Sequence, residues 1–173
     1  MAAPGEHRAR AFAPLAGPDT RLLILGSLPG TASLAAREYY AHPRNGFWPL
    51  IGAVIGVEGL AGRPYPDRLV ALRAAGVGLW DVIAAAERRG SGDAEIRRPE
   101  VADLAGLVAT LPRLAAIGFN GATAARHGRR QLRGETAAGL ALIDLPSTSP
   151  AHAALTLAQK QAAWAPLARF IED

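Results

Sequence analysis

Between Tyr39 and Trp48 the chain reads Tyr39-Tyr40-Ala41-His42-Pro43-Arg44-Asn45-Gly46-Phe47-Trp48. Two adjacent tyrosines, an imidazole, a carboxamide, a phenyl and an indole thus lie within ten residues. Aromatic rings supply stacking faces, and an amide both donates and accepts hydrogen bonds. That mixture suits a pocket for a flat, polar ring. Just upstream lies a Gly/Pro turn, Gly26-Ser27-Leu28-Pro29-Gly30-Thr31-Ala32-Ser33, preceded by the apolar run Leu22-Leu23-Ile24-Leu25. A short apolar run closed by turn residues reads as a buried strand. Open α/β sheets place ligands at the carboxyl ends of such strands.

A second turn, Leu145-Pro146-Ser147-Thr148-Ser149-Pro150, follows the apolar run Leu140-Ala141-Leu142-Ile143. Proline stiffens the backbone there, and Ser and Thr hydroxyls can reach phosphate oxygens. Its plainer reading is an N-cap for a helix beginning at Ala151. The first turn has neither the GxGxxG spacing of a dinucleotide site nor the Lys of a P-loop.

These groups need elements to position them. Strands are expected at Leu22–Leu25, Val77–Trp80, Leu114–Phe119 and Leu140–Ile143. Helices are expected at Thr31–Arg37, Phe47–Ile55, Asp67–Ala75 and Val101–Thr110, from Gly121 onward, and at Ala151–Ile171 with a kink at Pro166. Glu87 to Pro99 reads as an exposed loop, residues 1–20 as a loose lead-in, and residues 21–173 as one domain. Strands alternating with helices predict an α/β fold, a three-layer α/β/α sandwich around a central four-stranded parallel sheet. Its strand ends would bring Ser27, Pro29, Asp81, Asn120, Ser147 and Ser149 to one edge.

Composition narrows the chemistry. The 173 residues contain no Cys, which excludes disulfides, thiolate zinc sites and Cys-ligated iron–sulfur clusters. His7, His42, His127 and His152 lack metal-ligand spacing, so catalysis without a metal or other cofactor is the expectation. No apolar run is long enough to span a bilayer, and the first ten residues lack a signal-peptide core, so a cytoplasmic protein is expected. The net charge of +4 comes almost wholly from Arg. It fits a nucleic-acid partner, and it fits a biased genome composition equally well.

Four motifs in order now carry a resemblance: Gly-Ser-x-Pro-Gly, Tyr-Tyr-x-His-Pro-x-Asn-x-Phe-Trp, Leu-Trp-Asp-Val and Leu-Pro-Ser-Thr-Ser-Pro-Ala. Together they resemble the uracil-DNA glycosylase superfamily, and within it the hypoxanthine-DNA (deoxyinosine) glycosylase branch. The likeness runs from about Arg21 to about Trp164. It implies a four-stranded parallel sheet between helices, and metal-free hydrolysis of the N-glycosidic bond of a base flipped out of DNA. Flipping costs a few kcal/mol, least for mispaired or deaminated bases.

The resemblance also implies roles. Tyr40 matches the aromatic that stacks on the flipped base. Asp81 stands where many relatives have an Asn that reads the base edge; a carboxyl there can accept from a ring N–H or position water. Leu28 and Leu145 stand where many members have Asp or Asn and His or Asn, and Leu can neither activate water nor hydrogen-bond a leaving group. The catalytic amide of the hypoxanthine branch falls on Asn45, which would orient water or steady the developing positive sugar. Gly26, Ser27, Leu28, His42, Phe47 and Asn120 complete the expected base-binding set. Pro29, Gly30, Ser33, Ser147, Thr148, Ser149, His152 and Arg126 form the expected DNA-backbone set.

Plainer readings stand beside these: a cap at Asp81, loop bracing by Asn45 and His42, core packing by Phe47 and Trp48, and an ordinary Asn-Gly turn at Asn120. The expected partner is double- or single-stranded DNA with a deaminated base, bound by a monomer in a bacterial, nucleoid-associated setting. No Lys occurs in the pocket motifs, which argues against Schiff-base lyase chemistry. The alternatives are a non-catalytic or covalently trapped binder of damaged or single-stranded DNA, and a nucleoside hydrolase.

Overall fold

The computed structural model describes residues 8–172; residues 1–7 of the expected lead-in, His7 among them, lie outside the described residues. Four parallel strands form the central sheet: β2 (Leu22–Gly26), β3 (Val77–Asp81), β6 (Ala116–Asn120) and β7 (Ala141–Leu145), in the order β3-β2-β6-β7. All five residues of β2 are buried. Side chains alternate across a strand, so Leu22 and Ile24 enter one core while Leu23 and Leu25 enter the other. Burying each such side chain contributes roughly 1.5–3 kcal/mol. A strand apolar on both faces can only be central, which is why this run anchors the sheet.

On one face, α2 (Phe47–Ile55) and α6 (Leu157–Trp164) bury Phe47, Trp48, Leu50, Ile51 and Trp164 against Leu22, Ile24 and Leu79. On the other, α4 (Leu104–Ala109) and α5 (Ala122–Gln131) supply Leu104, Ala124 and Ala125 against Leu23, Leu25, Ile117 and Phe119. The shorter α1 (Thr31–Ala36) follows β2, and α3 (Tyr65–Ala74) precedes β3. The expected α/β/α layering around a four-stranded parallel sheet is therefore present.

Three readings need correction. First, a second, antiparallel sheet exists, of order β1-β4-β5, with β1 at Arg8–Arg10, β4 at Ile83–Glu87 and β5 at Arg97–Val101. Residues 8–10 of the expected lead-in are thus a paired strand, with Ala9 opposite Ala86. Only the middle of the Glu87–Pro99 stretch is loop. The strand β5 is exposed along its length and carries Arg97, Arg98, Pro99 and Glu100, the charges and proline by which edge strands avoid further pairing. Those same residues made it look like a loop. Second, α4 begins at Leu104 rather than Val101, because Val101 ends β5 and the Asp103 carboxylate caps the helix by accepting from Gly106 N at 3.0 Å. Third, the last helix begins at Leu157 rather than Ala151. Thr156 and Gln159 form a reciprocal capping box there, and after Trp164 the chain tightens into a 3-10 segment over Ala165–Phe170.

Candidate active site

The carboxyl edge of the parallel sheet opens into a cavity of ≈ 580 Å³. Small-molecule sites run about 300–1,000 Å³, so a nucleoside, and not merely a base, has room. Gly26 to Gly30 line it after β2, Asp81 at the end of β3, Asn120 to Thr123 after β6, and Ser147 to His152 after β7. Tyr39, Tyr40, His42 and Asn45 close one side, while Ser91, Gly92 and Asp93 close another. The convergence expected of the four strand ends is what builds the cavity.

Tyr40 lines the cavity and stacks on Phe47, with ring centroids 4.0 Å apart and planes 23° from parallel. Phe47 itself is fully buried in the helix-covered core and is not among the lining residues. This corrects its place in the base-binding set: its ring is occupied by Tyr40, Trp48 and Trp164, so it backs the wall instead of meeting a ligand. The Tyr40 backbone is left-handed, at φ 55. Its hydroxyl is buried and makes no hydrogen bond of good geometry; burial, then the nearby Asp81 carboxyl, pushes its pKa up, against a smaller downward pull from the Asn120 side chain.

Asp81 is buried at the end of β3, and its Oδ2 has no partner. Burial pushes its pKa up to about 7; Arg88 pulls it down and Asp93 pushes it further up. Such a carboxyl keeps a substantial neutral fraction near pH 7, and a neutral carboxyl both donates and accepts. Gly26 makes this approach possible. A Cβ there would stand 2.7 Å from Asp81 Oδ1 and 3.0 Å from Tyr40 Oη.

Asn45 follows a turn in which its N–H donates to His42 O at 2.9 Å, with Pro43 fixing the corner. Its Oδ1 accepts from Phe47 N at 3.0 Å, at the start of α2. The amide therefore braces the loop with one lone pair, while Nδ2 has no hydrogen bond within the described residues. His42 Nδ1 accepts from Arg44 N at 3.1 Å, so the loop-bracing reading describes one of its nitrogens. Asn120 is held by Thr148: its Nδ2 donates to Thr148 Oγ1, and its Oδ1 accepts from Thr148 N, both at 3.0 Å. This clasp fixes the turn after β7 to the end of β6.

Two members of the expected DNA-backbone set are buried and brace the cavity from within its lining. Thr148 is 2% exposed, and its hydroxyl is engaged by Asn120. Ser33 is 6% exposed, and its Oγ accepts from Ala41 N at 3.1 Å, bracing the aromatic loop. Both still line the cavity, and each hydroxyl is engaged only as an acceptor. Arg126 lies exposed on α5 and is not among the lining residues. Pro29, Gly30, Ser147, Ser149 and His152 line the cavity alongside Ser33 and Thr148. Leu28 lines it too, yet packs into one core, and Leu145 is buried in the other. The two leucines are hydrophobic core at the ends of their strands.

The segment joining β4 to β5 carries groups that the sequence did not single out. Arg88 donates to Leu28 O at 3.4 Å and to Pro29 O. Thr31 N donates to Ser91 Oγ at 2.8 Å, and Ser27 Oγ donates to Asp93 Oδ1 at 2.6 Å. Partners some sixty residues apart leave no local signal. A cluster of Arg, Gly, Ser and Asp is what a plain loop also contains. Among the described residues, no group of three or more His, Asp or Glu is arranged to hold a metal ion.

An open α/β sheet with a cavity at its strand ends, an aromatic wall and a buried carboxyl puts a stacking face and a hydrogen-bonding group in one place. The comparisons give the family. The family model of the uracil DNA glycosylase superfamily matches residues 13–168. A hypoxanthine DNA glycosylase of Methanosarcina barkeri is 43% identical over 110 residues, covering 64% of this chain and 69% of the relative. One from Methanosarcina acetivorans is 40% identical over 143 residues, covering 83% and 87% respectively. The solution NMR structure of a candidate uracil DNA glycosylase from Methanosarcina acetivorans superposes with a TM-score of 0.84 at 35% identity, covering 96% of this chain and 100% of that one. The chain belongs to the uracil DNA glycosylase superfamily. Its named relatives are archaeal, and nothing in them supports the bacterial, nucleoid-associated setting read from the sequence. No helix among the described residues is long and apolar enough to cross a membrane.

Proposed function

We propose that this chain is a monofunctional DNA glycosylase that hydrolyses the N-glycosidic bond of a flipped, deaminated base, hypoxanthine first and uracil second, leaving an abasic site. Family membership and relatives named hypoxanthine DNA glycosylases support the reaction class. The observation that carries the substrate is the buried Asp81 carboxyl, without a partner for Oδ2, beside the wall formed by Tyr40. Deamination turns an amidine edge into a lactam, a ring N–H next to a C=O. A neutral carboxyl meets both atoms at once, its carbonyl accepting from the N–H and its hydroxyl donating to the C=O.

The bound base lies on Tyr40, a stack worth roughly 1–3 kcal/mol, which helps offset the flipping cost. Phe47 behind Tyr40 holds that ring in place. Asn45 keeps one lone pair and its NH2 for the substrate, because only one acceptor site is used by Phe47 N. An amide is a poor base, so Asn45 acts by orientation and by steadying the positive charge that develops on the sugar. We further propose that the protein works as a cytoplasmic monomer on double- or single-stranded DNA, and that half-buried Ser149, exposed His152 and the first turn meet the DNA backbone.

The test is single-turnover excision on duplexes that each carry one inosine or one uracil. Asn45→Ala is expected to lower the rate at least about tenfold, roughly 1.4 kcal/mol of barrier. A wild-type rate in that variant refutes the role of Asn45. Tight binding by the parent protein with no abasic product refutes the glycosylase reading.

A further inference from the structure

Hydrolysis of an N-glycosidic bond releases a proton from the attacking water, and an acceptor for it must reach the cavity. The lining groups can be taken in turn. Asn45 is an amide. Asp81 is buried away from solvent and held toward its neutral form. His42 Nδ1 already accepts from Arg44 N, so the neutral ring carries its proton on Nε2. The exposed His152 imidazole has no hydrogen bond within the described residues to orient it.

Asp93 differs from all of these. It lines the cavity at an exposed position open to water, and Ser27 Oγ fixes its Oδ1 at 2.6 Å. Its Oδ2 has no hydrogen-bond partner within the described residues. The loop that carries it is fastened to the first turn at two further points, by Arg88 on the carbonyls of Leu28 and Pro29, and by Ser91 on Thr31. A carboxylate held by three links on the turn that ends β2 is pre-organised in the way a water-positioning group must be.

We propose that Asp93 is a catalytic residue that binds the attacking water through Oδ2 and accepts its proton. The inference rests on the glycosylase reading above. In the step, the water oxygen bonds to C1′ of the sugar as the bond from C1′ to the base nitrogen breaks. The bonding pair leaves with the base. One water proton passes to Asp93 and returns to solvent, and the departing base takes up a proton from solvent. The two carboxyl groups of the cavity then divide the work by environment: Asp81 reads the base from within the core, and Asp93 handles water at the mouth.

Single-turnover excision of inosine from duplex DNA tests this with Asp93→Asn and Asp93→Ala. Asparagine retains an acceptor for Ser27, so the turn stays latched while the basic carboxylate is gone. Expected are a rate loss of at least tenfold in Asp93→Asn, affinity for the inosine duplex within about twofold of the parent, and partial recovery of Asp93→Ala by added formate. Formate is a small carboxylate that can replace a missing base but cannot replace a latch. A wild-type rate in Asp93→Asn overturns the proposal. So does a slow Asp93→Ala that formate leaves unchanged, because the residue would then only hold the loop. A parent protein that leaves both inosine and uracil in place overturns the glycosylase reading itself, and the role of Asp93 with it.

Discussion

Asp81→Asn gives the sharpest physical test of the cavity. The folded chain holds the Asp81 carboxyl at about 7, against an ordinary value of 3.8, chiefly because it is buried. One pH unit of difference corresponds to about 1.36 kcal/mol, so ionising Asp81 in the folded state costs on the order of 4 kcal/mol. The folded-state value lies above the unfolded one, so the folded chain binds this proton more tightly. The cost is therefore absent below about pH 4, grows as pH rises between about 4 and 7, and is complete above about 7. Asparagine has nearly the same shape and no charge to desolvate. Urea denaturation of parent and variant at pH 4 and pH 8.5 should show the variant gaining on the parent by up to about 4 kcal/mol between the two conditions. Any penalty from leaving the amide unpartnered is present at both pH values and cancels. Excision should follow the same titration. The parent should lose activity as pH rises through about 7, as the donating hydroxyl is lost, and the variant should not. A stability difference between the two proteins that is the same at both pH values would refute the assignment of a neutral, buried carboxyl.

Two further substitutions test the walls. Tyr40→Ala should weaken binding to an inosine duplex more than to undamaged DNA, by roughly 1–3 kcal/mol in titrations of the two duplexes, because it removes the stacking face and uncovers Phe47; equal losses on both would remove the stack. Asn120→Ala should destabilise the fold by about 1–3 kcal/mol in urea, because the N–H of Thr148 is left buried without its acceptor. A loss below about 0.5 kcal/mol would show that the clasp is dispensable.

Much of the fold could be read from the chain because the parallel strands are continuous apolar runs ending in turn residues. Leu22–Leu25, short and closed by turn residues, reads as a strand buried on both faces, and Phe47–Ile55 closes on Gly56 in the left-handed conformation that glycine favours. The antiparallel strands were illegible for the opposite reason. The middle of β4, residues 84–86, is a run of alanines with little strand signal, and the edge strand β5 is charged and holds a proline; edge strands are built to look unlike strands. The capping box at Thr156 and Gln159 was overlooked because the hydroxyl-rich turn upstream reads as a helix start at Ala151. For the site, residue types located the cavity, because strand order alone brings Asp81, Asn120 and Ser147 to one edge. Which of them face a ligand was not local information. Ser33, Thr148 and Phe47 have suitable chemistry, but their partners lie elsewhere in the chain. Asp93 enters only because a loop folds back across a sequence distance of 66 residues.

Thr148 does more than clasp Asn120. Its carbonyl accepts from Gly46 N at 2.9 Å, so one residue ties the sheet edge to the loop bearing Tyr40 and Asn45. Opposing sides of the cavity are thereby joined through a single buried backbone position. That tie opposes a change in the spacing of the two sides, so on the proposed glycosylase reading the cavity serves as a mould that the flipped nucleotide must fit. On the proposed reading, selection begins in the duplex itself: the pairs that open most readily present their base to the mould most often.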